Sequence, residues 1–212
     1  MSPPNIASSK QDHYFSEVIE SSLNHFVAQC WQWNILPTFA SLVEVHNNQQ
    51  IILGCVTQIK TESSDPTRKP FAYQKTEAEL LNEQPQIFEL LKSTFTVHII
   101  GYKDLTTNKV IYRTPLQPSK IHAFVKQTSE QIFAEVFSQP HFLPMFFTFQ
   151  NSTTNLEELL LAILCQVHQK NLITKEFFHT FYQNFALLNS NDYKRVKLFF
   201  ERIEYTYQQL EV

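Results

Sequence analysis

The sequence predicts an α+β protein: a small N-terminal β-barrel with a helical insertion, followed by a C-terminal helical region. Hydrophobicity alternates with period two up to about Arg113, and beyond Ser119 the apolar period changes to 3.6. Pro115 and Pro118 punctuate the chain between the two regimes. The 212 residues suffice for two small lobes. The expected organisation is a flexible tail and short helix over residues 1–20, then a barrel over 21–118 with inserted helices at about 76–93. A helical region over 119–212 then packs on itself and on the barrel.

Residues 22–31 place Phe26, Ala28 and Cys30 on one side and His25, Val27, Gln29 and Trp31 on the other, the mark of a strand. Residues 39–46 form a second strand, with Ser41, Val43 and Val45 opposing Leu42 and Glu44. Asn47-Asn48-Gln49-Gln50 is a hairpin turn, and 51–59 return as a third strand in which Gly54 marks a bulge or bend. A polar loop follows Lys60. Thr76 and Glu79 have capping-box spacing, and Pro85 opens another short helix carrying Ile87, Phe88, Leu90 and Leu91. Residues 95–102 and 110–113, joined by a turn over 104–109, read as a hairpin.

Helices are expected at about 129–137, 156–169, 175–188 and 191–209. The third gathers Phe177, Phe178, Phe181, Tyr182 and Phe185 on one stripe; the fourth spaces Tyr193, Val196, Phe200, Ile203, Tyr207 and Leu210 by three and four. Such stripes are read as packing seams, not as a cofactor box.

Composition excludes several functions. Lys and Arg number 17 against 20 Asp and Glu, a formal charge of -3, so no cationic field draws a polyanion. With only 2 glycines, Gly54 and Gly101, far apart, neither a P-loop, a dinucleotide-binding turn nor a nucleophile elbow can be built, and no cofactor or ATP binding is expected. Cys30, Cys55 and Cys165 are widely spaced among apolar residues and read as buried free thiols of a reducing compartment. The chain's start has neither the basic nor the apolar region of a secretory signal, and no run of 18 apolar residues suggests a membrane span, so a cytoplasmic location is expected.

The segment Phe39-Ala-Ser-Leu-Val-Glu-Val, the polar turn and Ile51-Ile-Leu-Gly54-Cys-Val-Thr-Gln-Ile resemble the HAS-barrel family. That barrel is the N-terminal domain of HerA-type DNA translocases and of the catalytic-ring subunits of rotary ATP synthases. Ser22-Leu-Asn-His-Phe-Val-Ala-Gln-Cys-Trp31, Glu83-Gln-Pro-Gln-Ile-Phe88 and Pro118-Ser-Lys-Ile-His122 are similar to stand-alone HAS-barrel proteins of cyanobacteria, which add a helical C-terminal region. The resemblance covers roughly residues 20 to 210 and implies a cyanobacterial cytoplasm or plastid stroma. It departs from the family at Ala40, where the pattern often has glycine. In those enzymes an ATPase domain follows the barrel, but no Gly-x-x-x-x-Gly-Lys-Ser/Thr occurs in these residues, so the resemblance implies a collar-like assembly role and no ATPase activity is expected.

Residue chemistry adds little to this. His13, His25, His46, His98, His122, His141, His168 and His179 form no metal-binding signature, so no metal is expected. His25 and His98 fall in strands whose faces could meet near Cys30, but nothing local would lower that thiol's pKa. Glu17/Glu20, Glu157/Glu158 and Glu201/Glu204 read as the wet faces of helices. Two surfaces remain. The apolar segment Phe142-Leu143-Pro-Met145-Phe146-Phe147-Thr-Phe149 follows neither period and is either a buried strand or linker under the helices or a candidate interaction surface for a protein partner or a second copy. The loop carrying Lys60, Arg68, Lys69, Phe71, Tyr73 and Lys75 mixes cations with aromatics, as single-strand binding surfaces do, although acidic residues dilute it. The expected function is a non-catalytic interaction or assembly module. The alternative is an accessory role in DNA or RNA processing through the loop.

Overall fold

The computed structural model describes residues 14–65, 67, 70–147, 155–189 and 192–210, the side chains of 207–210 excepted. Arg68, Lys69 and Phe149, three of the candidate site residues, lie outside these residues, as do residues 1–13.

Strands β1 (Tyr14–Ser21), β2 (His25–Cys30), β3 (Leu42–Asn47), β4 (Gln50–Ser63), β5 (Leu91–Asp104), β6 (Lys109–Ile111) and β7 (Phe124–Gln127) pair antiparallel throughout. Neighbours run β2-β1-β7-β3-β4-β5, and β2 pairs again with β5, so six strands close a barrel while β6 extends the far half of β5. Closure removes the open edges that a sheet of this size would otherwise expose.

Two expectations are corrected here. The short helix anticipated within residues 1–20 is not formed by Tyr14–Ser21, which are strand β1. β1 lies between β2 and β7, and its Ser16 and Val18 point into the barrel at 0% exposure, so ladder pairing on both edges dictates its conformation. The barrel also does not end at residue 118: β7, four residues long, lies beyond it and bridges β1 to β3. Pro115 and Pro118 therefore sit in a loop between two barrel strands.

Gly54 does mark a break in the ladder. Leu53 pairs with Gly101 but Gly54 pairs with Ile99, leaving Ile100 as the extra residue that bends β5. A Cβ on Gly54 would lie 2.5 Å from Val97 Cγ1 and 2.6 Å from the His98 carbonyl oxygen. Backbone cannot yield cheaply there, so Gly54→Ala is expected to cost at least about 1–3 kcal/mol, read as a lowered urea midpoint with unchanged m-value.

Between β4 and β5 lie α1 (Glu77–Glu83) and α2 (Gln86–Glu89); Thr76 and Glu79 close a reciprocal capping box on α1. After β7 come α3 (Glu130–Phe137), one 3-10 turn (Pro140–Phe142), α4 (Leu143–Phe147), α5 (Leu156–Gln169), α6 (Lys175–Leu188) and α7 (Tyr193–Leu210). Ser129, Asn155 and Thr174 cap α3, α5 and α6 by accepting from first-turn amides.

Strand alternation sends side chains into two separate cores. Val18, Phe26, Ala28, Val43, Val45, Ile52, Val56, Phe95, Val97 and Val125 fill the barrel. Leu42, Ile51, Leu53, Cys55 and Ile100 point outward from β3, β4 and β5 and merge with the phenylalanines of the helices. Polar links fasten that layer: Lys103 Nζ donates to Glu135 at 2.5 Å, Tyr112 Oη to the Val136 carbonyl at 2.7 Å, and Gln166 Nε2 to the Phe39 carbonyl at 3.3 Å. Arg195 and Arg202 of α7 hold Glu157 and Glu158 of α5, each at 2.6 Å.

This layering decides residues 142–147 of the apolar segment. Phe142, Leu143 and Phe146 are 0% exposed, and Met145 and Phe147 pack against the same core. Residues 142–147 therefore take the buried reading and not that of a partner surface: they are the wedge between barrel and helices, where Pro140 and Pro144 allow one tight turn that aims the rings inward. Phe137, Phe142 and Phe146 stack edge to face in sequence there, with centroids 4.9 and 6.0 Å apart.

A candidate protein-interaction surface on the barrel wall

Among the described residues the helices pack on the outward faces of β3, β4 and β5, whereas Gln29, Trp31 and Phe124, on or beside the outward faces of β2 and β7, are exposed. Outward residues of the β2-β1-β7 wall are fixed by register. Glu17 stands between Gln29 and Phe124, and Lys126 between Tyr14 and Glu44. Trp31, just past β2, donates its backbone N–H to the Phe15 carbonyl at 3.0 Å, which brings its ring to the same wall. Trp31 and Phe124 meet as a T-shaped pair with centroids 5.3 Å apart, and Tyr14 tilts onto Phe124 at 5.7 Å. The pair is not buried: Trp31 is 52% and Phe124 50% exposed.

Charges frame these rings. Glu44, its side chain 3% exposed, accepts from His46 at 3.1 Å and pairs with Lys126 at 3.4 Å. Lys126 Nζ also lies 5.3 Å from the Tyr14 ring centroid, a cation–π contact within the wall. His122 Nδ1 pairs with Glu17, and Glu20, 70% exposed, lies 4.0 Å from His25. The arrangement is an aromatic patch with acidic surroundings, one of whose carboxylates is anchored under the surface.

The other sequence-derived candidates are dispersed. Lys60 pairs with Glu62, Lys92 lies 3.5 Å from the same carboxylate, and Lys75 pairs with Glu83. The hydrogen bond from Lys60 holds the Glu62 carboxyl below its ordinary range. Phe71, 69% exposed, rests on Tyr73 with centroids 4.2 Å apart, beside a 450 Å³ hollow lined by Ile87, Leu90 and Leu91. The aromatic half of the loop is thus present, but each described cation has a carboxylate partner. Binding of a labelled single-stranded 20-mer is expected to be weaker than about 10 µM at 150 mM salt, near the non-specific range, in fluorescence anisotropy.

His25 and His98 are register partners, as their strands allow, but Cys30 is not beside them: it points into the barrel while both histidines face outward. Burial pushes the Cys30 thiol up to about 11 and raises those of Cys55 and Cys165; all three are free, the first two buried and Cys165 partly so. His98 is 5% exposed, lies 6.3 Å from the Phe146 ring and hydrogen-bonds the Met145 backbone, joining β5 to α4. Among the described residues no three of His, Cys, Asp and Glu converge on a common point. None of their helices is long and apolar enough to cross a membrane.

A polar cleft of 670 Å³ opens beside the β3–β4 turn, and a more apolar groove of 640 Å³ runs along the start of α6. Sequence reasoning missed the wall. Trp31 was legible as the outward side of its strand, but Phe124 lies on a strand too short to show a period, and only barrel closure sets the two together. No protein-family model matches the chain, and no curated protein sequence matches it.

Proposed function

We propose that the protein is a non-catalytic interaction or assembly module built on a HAS-like barrel, docking a protein partner through the β2-β1-β7 wall. The observation that carries this reading is the asymmetry of the barrel: helices pack on the outward faces of β3, β4 and β5, while Trp31 and Phe124, on or beside β2 and β7, stand half exposed against each other. Aromatic residues are enriched at protein interfaces, and Trp is among the residues that most often carry the binding energy there.

Two features support the family reading beneath it. The barrel is closed and antiparallel, with a polar β3–β4 hairpin and a bulge opposite Gly54. Ala40 has φ 64, the left-handed region that glycine occupies with least strain, at the position where the family pattern carries glycine.

The test is photo-crosslinking in intact cells from a benzoylphenylalanine placed at position 124, with position 187 on α6, also exposed at 73%, as the control. A discrete adduct from 124 and none from 187 is expected. No adduct from 124, or the same adducts from both sites, would remove the wall as the interface.

A further inference from the structure

The barrel ends at the β3–β4 turn in a cleft built from positions that continue its interior. Val45 and Ile52 are register partners inside the barrel, and two residues further on Asn47 pairs with Gln50 on the same face. β5 adds Tyr102 opposite Ile52 and Asp104 opposite Gln50. These four side chains border the barrel's mouth, and the loop after β6 lines it further with Leu116 and Gln117, around a volume of 670 Å³. That loop is tied down by the Ser21–Ser119 hydroxyl pair at 2.8 Å and by Asn47 Nδ2, which donates to the Pro118 carbonyl at 3.3 Å.

Asn47 is 5% exposed, yet among the described residues nothing donates to its Oδ1. Turning the amide over gives no remedy, because Oδ1 would then face the Pro118 carbonyl. A buried acceptor without a donor is costly and rare, and this one belongs to the lining of a cleft. We propose that the mouth of the barrel binds a neutral mono- or disaccharide, one of whose hydroxyls donates to Asn47 Oδ1.

The lining selects this class of ligand. Hydroxyls both donate and accept, so one sugar can serve the amides of Gln50 and Gln117 and the Asp104 carboxylate together. The Thr106 and Thr107 amides donate to Asp104 Oδ1 at 2.7 and 3.2 Å, which leaves Oδ2 as an acceptor for a ligand. Hydrogen bonds from Thr106 hold that carboxyl below its ordinary range, so it is ionised. It is the one ionic group on the described lining and repels anions. Lys109, Arg113 and Lys120 are near but line none of it, Arg113 donating to the Tyr102 hydroxyl and Lys120 to Asn48. A nucleobase would want an aromatic platform. Tyr102 is buried with the Arg113 guanidinium 6.0 Å from its centroid, whereas Leu116, 81% exposed, offers an aliphatic face to sugar C–H groups. Barrel mouths are a recurrent place for small-molecule sites, whose volumes run from about 300 to 1,000 Å³.

The test is titration of the isotope-labelled full chain with glucose, galactose, maltose, sucrose and trehalose, followed by backbone amide shifts in NMR, with glucuronate and adenosine as counter-probes. At least one neutral sugar is expected to bind saturably with a Kd below about 1 mM, shifting residues 47–50, 102–106 and 116–117 most. Asn47→Leu removes the unpaired acceptor and should weaken that sugar at least about fivefold; Gln50→Ala with Gln117→Ala should weaken it at least about threefold. Thermal midpoints are followed in parallel, and if Asn47→Leu unfolds, the double variant carries the comparison. Binding that keeps its wild-type strength in the folded variants, or shifts centred elsewhere, overturns the proposal. So does tighter binding of glucuronate or adenosine than of every neutral sugar, or no saturable shift with any sugar, in which case solvent alone serves Asn47. The crosslink from position 124 stands or falls separately from all of these outcomes.

Discussion

Phe185→Ala is expected to cost about 3–5 kcal/mol of folding stability, the range for emptying a fully packed aromatic site. Phe185 is 1% exposed and stacks on Phe199 at 4.5 Å and on Phe181 at 6.1 Å, with edge contacts to Phe147 and Phe200 at 5.8 Å each. Its ring joins α4, α6 and α7, so no single helix can move into the vacated space. Against a total stability of about 5–15 kcal/mol the loss is large, and at about 2–4 °C per kcal/mol for a chain of this size it lowers the calorimetric midpoint by roughly 6–20 °C. Leu187→Ala on the same helix, where the side chain is 73% exposed, should change it by less than about 0.5 kcal/mol. Equal midpoints for the two variants would mean that the aromatic seam is not the core of the helical layer.

The second large effect is on pH. Burial between β5 and α4 pushes the His98 imidazole down from 6.5 to about 4, with His25 adding to the fall and the hydrogen bond to the Met145 backbone opposing it. Above pH 6.5 the ring is neutral in both folded and unfolded chains and contributes no pH dependence. As the pH falls from about 6.5 to about 4, the unfolded chain takes up a proton that the folded one refuses, so stability is lost across that window and levels off below it. The span amounts to roughly 3 kcal/mol at about 1.4 kcal/mol per unit. His98→Gln should abolish this contribution, so the difference between variant and wild-type urea stabilities should narrow steadily from pH 6.5 to 4 in favour of the variant. Carboxylates also titrate at the acid end, which is why the difference and not the wild-type curve carries the test. A difference that stays flat would place the His98 ring in contact with solvent.

Long periodic segments were legible because pattern and end signals agree. α5 and α6 begin and end where the 3.6 period and its caps, Asn155 and Thr174, place them, and the β3–β4 hairpin turns at Asn48, whose φ of 48 suits asparagine. The bulge was foreshadowed by a lone glycine in a strand. What was hidden depends on pairing between distant segments. β7 is too short to display a period, and β1, although Tyr14, Phe15, Val18 and Ile19 favour a strand, has its alternation broken by irregularities in its pairing with β2 and β7. Residues 142–147 have one composition whether they face water or a core, and only the barrel surface beneath them, bearing Leu53, Cys55 and Ile100, decides. The loop cations Lys60 and Lys75 looked available in sequence because Glu62 and Glu83 neutralise them through a strand edge and a helix end. For the same reason Trp31 and Phe124 carried no joint signal.

The proposed working surface is the part of the barrel wall that carries the half-exposed Trp31 and Phe124. Its most direct measurement is quantitative co-purification with the tagged full chain, wild type against the double variant Trp31→Ala with Phe124→Ala, from the cells that make it. The account predicts that a stoichiometric partner accompanies the wild type and is lost from a double variant whose thermal midpoint is unchanged. A partner retained at the same stoichiometry by the folded double variant would contradict it.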